Sequence, residues 1–136
     1  MKPVHALRLR VWWISGGVLI ALLVIAGSLA PPADLPGVQL WDKFEHAFAF
    51  CVLAAWFGGV LRPERYRWLA LALVLLGIAI EIAQGAMHVG RTADLRDVFA
   101  DAIGIMFGVA AARLVGADGW MRRVERWLGI AAPAAD

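Results

Sequence analysis

Three clusters of residues in this 136-residue chain have the types and spacing for chemistry. Asp42-Lys43-x-x-His46 puts an acid, an amine and an imidazole within one helical turn, because residues three and four apart share a helix face. Glu81-x-x-Gln84 does the same for an acid and an amide, and Gly77 extends that stripe. Gly90-Arg91 then leads to Asp94 and to Asp97-x-x-x-Asp101-x-x-Gly104-x-x-x-Gly108. Imidazole and carboxyl groups are the usual agents of proton transfer, so His46 and Glu81 are the candidate general acid and base. Lys43 and Arg91 can hold a phosphate or carboxylate. Asp42, Gln84, Asp97 and Asp101 complete the candidate ligand-binding set, and Gly104 with Gly108 lets a neighbouring helix come close.

Those residues need elements to position them, and composition says what the elements are. The chain is 62% hydrophobic and 18% charged, more apolar and less charged than a typical soluble domain. Residues 11–30 contain no charge, and Pro31-Pro32 stops that run. Three further apolar runs cover 44–61, 68–84 and 98–115. About 20 apolar residues cross the hydrocarbon core as a helix. Four such runs are more than a soluble domain of this length can bury, which excludes an ordinary cytosolic enzyme. A disordered chain would be poor in Trp and Leu. The single cysteine, Cys51, excludes a disulfide-stapled module. The expected fold is therefore all-α: an integral membrane four-helix bundle, preceded by a basic tail at 1–10 and followed by a tail at 116–136. No internal repeat and no soluble domain are present.

The net charge of +2 hides a strong asymmetry. Lys2, Arg8, Arg10, Arg62, Arg65, Arg67, Arg113, Arg122, Arg123 and Arg126 fall on one side of the four spans; Lys43, Arg91 and Arg96 fall on the other. The positive-inside rule then puts both termini in the cytoplasm. The expected location is a cytoplasmic (inner) membrane. Ser28-Leu29-Ala30 after the first run also permits a cleaved signal peptide, but the run is longer than a usual signal core, and Trp12-Trp13 suits an interfacial anchor. Near the end, residues 118–130 alternate Trp120, Val124, Trp127 and Leu128 with arginines. That pattern predicts a short amphipathic helix on the inner leaflet.

With that orientation, the three clusters meet at one face. From Trp68 to Glu81 is about 20 Å of helix, so Glu81 lies on the order of 10 Å below the outer surface. His46 lies roughly 6 Å down and Asp101 at a depth similar to His46, so the three can meet in one shallow cavity; intramembrane ionisable residues face the bundle interior or a wet cleft rather than lipid. Simpler roles compete. Asp42 with Glu45 has the spacing of a capping box, Asp94 with Asp97 that of a helix cap, and Arg91 that of a headgroup anchor.

Taken together, Asp42-Lys43-x-x-His46, Glu81-x-x-Gln84, Gly90-Arg91 and Asp97-x-x-x-Asp101-x-x-Gly104-x-x-x-Gly108 resemble the VanZ-like family of small bacterial membrane proteins over about residues 30–115. Two departures stand out. The family's last motif usually has Asn where this chain has Asp101, and Gly90 stands where the family often has Pro before its Arg. The resemblance implies a multi-pass membrane protein and an association with low-level resistance to the glycopeptide teicoplanin, the property for which the family was named.

Three functions fit the residues. The first is an outer-face site for an amphiphilic ligand, a lipid or lipid-linked envelope precursor, with His46 and Glu81 available for proton transfer. The second is non-catalytic: Lys43 or Arg91 neutralises Glu81, Asp97 and Asp101 in a buried network that fixes the bundle or docks a partner. The third is a metal held by His46, Glu81, Asp97 and Asp101. Because no ligand motif of known spacing is present, no metal or other cofactor is assigned. Expected partners are membrane lipids, with no nucleic acid, and the sequence does not set an oligomeric state. Serine catalysis is excluded by the lack of Ser in 44–61, 68–84 and 98–115, and the usual inverted repeat of a transporter is missing.

Overall fold

The computed structural model describes residues 7–30, 39–87, 93–115 and 119–130, with only the backbone of 39–42. Among them the chain is all-helical: α1 (Arg10–Leu29), α2 (Gln39–Val60), α3 (Tyr66–Met87), α4 (Leu95–Leu114) and α5 (Trp120–Trp127), with a 3-10 turn at Pro63–Arg65.

Proline punctuates the helices as its ring requires. Ala30 is extended (φ −64°, ψ 144°) because Pro31 follows and disfavours the helical conformation before it. Arg62 is extended for the same reason (φ −74°, ψ 151°), and Pro63 then opens the turn that leads into α3. Asp94 caps α4: its side chain accepts the Arg96 N–H, satisfying one of the donors left open at a helix start. At the start of α5, Gly119 takes φ 69°, a conformation that a Cβ would strain.

α2 and α4 form the most extensive helix pair, with α3 against α4 and α1 against α2 and α3. Gly104 and Gly108 lie directly on the backbone carbonyls of Ala47 and Cys51, where a Cβ at either position would overlap the facing chain. Repeating that contact one turn later aligns the two backbones over several residues. Around this seam, Phe50, Leu53, Ala54, Leu69, Leu73, Ile80 and Ile105 make the core.

Two sequence expectations change. α2 begins at Gln39, five residues before the apolar run does, so Asp42 lies inside the first turn and is not the cap of a capping box. His46 accordingly lies two turns into the helix. α3 continues past Gln84 to Met87, which leaves Glu81 well short of its C-terminus. Of the four runs expected to cross a membrane, α1 and the Pro63–Met87 stretch are long and apolar enough to do so. The averages of α2 and α4 are lowered by Lys43, Glu45, His46, Asp97 and Asp101, the residues that make the site.

The opposite end is closed by aromatic rings. Trp13, Trp56 and Trp120 pack edge to face or tilted, with centroids 5.6–5.8 Å apart, a favoured geometry for ring quadrupoles. Their indole N–H groups are all used: Trp56 donates to the Trp13 carbonyl at 2.9 Å, Trp120 to the Ala55 carbonyl at 3.0 Å, and Trp13 to Glu125 at 2.9 Å. Trp13 thus turns inward. The face of α5 that packs on the bundle is Met121 and Glu125, beside Trp120, while Trp127 is 85% exposed. The expected stripe of Trp120, Val124, Trp127 and Leu128 is split between the two sides.

Candidate functional site

The first turns of α2 and α4 and the last third of α3 converge at the end away from the tryptophans. α2 supplies Lys43 and His46, α3 supplies Glu81 and Gln84, and α4 supplies Asp97 and Asp101, with Asp94 at its cap. His46, Glu81, Gln84, Asp97 and Asp101 are all buried. The close α2–α4 seam at Gly104 is what brings the His46 and Asp101 faces together one turn above it.

Two pairings cross between α2 and α4. Lys43 Nζ donates to Asp97 Oδ1 at 2.7 Å and to Asp94 Oδ2 at 3.0 Å. His46 Nδ1 and Asp101 Oδ1 are 3.1 Å apart. Gly77 admits Asp101: a Cβ there would sit against the Asp101 carboxylate. Asp94 links the third helix, since its backbone N–H donates to Glu81 Oε2 at 2.7 Å. The Arg96 N–H, and then the Lys43 ammonium, hold the Asp94 carboxyl below the ordinary carboxylate range.

Glu81 Oε1 is buried and, among the described residues, has no hydrogen-bond partner. One ligand atom each from His46, Glu81 and Asp97 lie within 4.8 Å of one another. Among the described residues, the site therefore gathers an imidazole and three buried carboxylates around one paired ammonium.

Gln84 lies beside this cluster and faces α1, with Nε2 donating to the Ser28 carbonyl at 2.7 Å. Its contact is a tie between helices. The Asp42 side chain and Arg91 lie outside the described residues, as does His88. Asp94 is the residue that spacing alone undersold: read as a cap, it also pairs with Lys43 and donates its N–H to Glu81. Its position three residues before Asp97 was the available signal.

Next to the cluster, a cleft of about 180 Å³ opens between α1 and α2. Leu23, Val24 and Gly27 of α1 and Ala49 of α2 wall it, and Ser28, Glu45 and His46 make its polar end. The cleft thus combines apolar walls with a polar end that carries an imidazole and a carboxylate.

No curated protein and no solved structure is significantly similar to the chain. The sequence pattern of the VanZ/LLP1 family matches residues 8–116, a stretch that takes in all four long helices and every residue of the cluster just described. The chain belongs to the VanZ/LLP1 family.

Proposed function

We propose that this protein is a multi-pass protein of the bacterial inner membrane, four helices across and both termini in the cytoplasm. In this reading its outer-leaflet polar cluster receives the headgroup of an amphiphile of the lipid-linked envelope-precursor class. The membrane reading is supported by an inverted distribution of side chains. Leu19, Leu22, Phe48, Leu75, Phe99, Met106 and Phe107 are among the large apolar residues exposed on α1–α4, while an imidazole and three carboxylates are buried. Water would favour the reverse, and lipid favours this one.

The observation that carries the ligand reading is the α1–α2 cleft. Its apolar walls suit an acyl or polyprenyl chain, and its polar end includes His46, which contacts Asp101 and lies beside Glu81 and Asp97. His46 and Glu81 supply the groups for proton transfer to a headgroup held there. A role in glycopeptide (teicoplanin) resistance belongs to the same proposal, since lipid-linked precursors are the route to the wall that such drugs bind.

The test is retention of undecaprenyl phosphate against phosphatidylglycerol by the full chain in nanodiscs, read by native mass spectrometry. Leu23→Trp, which fills the cleft from α1, should cut retention at least tenfold, about 1.4 kcal/mol. Leu71→Trp, on an exposed part of α3, should leave it unchanged. Equal retention by the two variants would sink the proposal. A second reading, a non-catalytic ion-pair network that fixes the bundle or docks a partner, draws on the Lys43–Asp97 and His46–Asp101 contacts. Under that reading His46→Ala and Glu81→Gln lower protein abundance in the membrane and retention of the lipid together.

A further inference from the structure

We propose that His46, Glu81 and Asp97 form a three-ligand site for a divalent transition cation, Zn²⁺ or Mn²⁺, with Asp101 as the outer carboxylate that orients His46. Three separate helices deliver the ligands, so no sequence motif of fixed spacing announces the site. Geometry is the first support: one ligand atom from each of the three residues lies within 4.8 Å of the other two, a span that a cation with bonds near 2.0–2.2 Å can close with small side-chain adjustments. The second is Glu81. The residue is only 5% exposed, yet its Oε1 has no hydrogen-bond partner among the described residues. A buried carboxylate oxygen left in that condition is costly. It is the oxygen available to a cation, because Oε2 is already engaged by the Asp94 N–H at 2.7 Å.

Charge is the third support. Among the described residues, Lys43 is the only Lys or Arg that pairs with the cluster, and it is shared between Asp94 and Asp97. Among the described residues, Glu81, Asp97 and Asp101, each under a tenth exposed, therefore outnumber the fixed positive charge that pairs with the cluster. Lys43 engages Asp97 through Oδ1, and the carboxylate has a second oxygen to offer. Asp101 completes the pattern. Its Oδ1 is 3.1 Å from His46 Nδ1, the carboxylate–histidine contact that fixes the ring and raises the basicity of a metal-ligating imidazole. One nitrogen and two carboxylate oxygens are a borderline-to-hard set suited to Zn²⁺ or Mn²⁺ rather than to the soft ions that thiolates select. With three protein ligands, a further coordination position stays open to water or a ligand oxygen.

This proposal does not rest on the amphiphile reading, and it is tested without lipid ligand. The full chain, purified in detergent and stripped with chelator, is loaded with Mn²⁺ or with Zn²⁺ and the metal counted by mass spectrometry. We expect one ion per chain, with nitrogen modulation in the pulsed electron paramagnetic resonance of the Mn²⁺ form. His46→Ala should abolish the modulation, and Glu81→Gln should lower occupancy at least tenfold. Glu64→Gln, an exposed acid outside the cluster, should change neither. The chain has three histidines, so the double variant His5→Ala/His88→Ala leaves His46 as the only imidazole. Retention of the modulation in that variant supports the site even if His46→Ala fails to fold. Failure of the wild-type chain to hold either ion overturns the proposal. So does loss of the modulation in the double variant, or metal that stays bound in a folded Glu81→Gln chain. Failure of the wild-type chain to retain undecaprenyl phosphate, with metal content intact, would count against the amphiphile reading alone.

Discussion

At Gly104 a single methyl group decides whether α2 and α4 can meet. The facing atoms are the backbone of Ala47, which has no rotamer to change, so the helices themselves must move apart. Gly104→Ala should destabilise the protein by about 1–3 kcal/mol, the usual cost of overpacking, and should separate His46 from Asp101 one turn away. Gly27→Ala is the matched control: a Cβ there meets nothing within 4 Å, and its melting temperature should hold or rise slightly. Thermal unfolding in detergent distinguishes the two. Helical spacing made Gly104 and Gly108 legible as a seam, and it grouped Asp97 with Asp101 and Lys43 with His46. It could not say which stripe faces which. The His46–Asp101 contact spans 55 residues and the Gln84–Ser28 contact 56, and no periodicity within one helix encodes a partner in another. The Gln84 Nε2–Ser28 tie to α1 is a case in point: the spacing of Gln84 from Glu81 does not indicate it.

Among the elements, α1 and α5 are held together by one carboxylate. Glu125 is fully buried and accepts the backbone N–H groups of Arg8 and Leu9 and the Trp13 indole, each at 2.9 Å. Two of those donors precede the first helix, where intrahelical acceptors are lacking. Glu125→Ala leaves all three without their acceptor. We expect a loss of about 2–4 kcal/mol, since unsatisfied buried donors cost about 1–3 kcal/mol each and interfacial water recovers part of it. Intrinsic fluorescence should shift at the same time, because the Trp13–Trp56–Trp120 stack is anchored at the same point. Little in the sequence distinguishes Glu125 from a solvated residue of a basic amphipathic helix. The available signal was its place one turn after Met121, on the side opposite Trp127. These contacts also bear on α1 as a signal peptide: its removal would strip partners from Glu125, Gln84 and Trp56 together.

For the whole molecule, the positions of the arginines and of the exposed apolar side chains lead to one expected topology. Green fluorescent protein fused after α5 should fluoresce. Alkaline phosphatase fused within residues 31–38 should be active, and phosphatase fused after α5 should not. Inverted activities would overturn the orientation that the charge count predicts. The clasp at Glu125 has a consequence for biosynthesis. Its partner Arg8 is made 117 positions before it, and the four long helices lie between them. On the proposed topology α1 enters the bilayer well before its N-terminal end meets this acceptor. A chain cut before residue 120 therefore leaves the Arg8, Leu9 and Trp13 N–H groups without this acceptor and the tryptophan stack without its third ring. The contact of α5 with the segment that opens α1 gives a protease a structural difference between chains that contain α5 and chains cut before it.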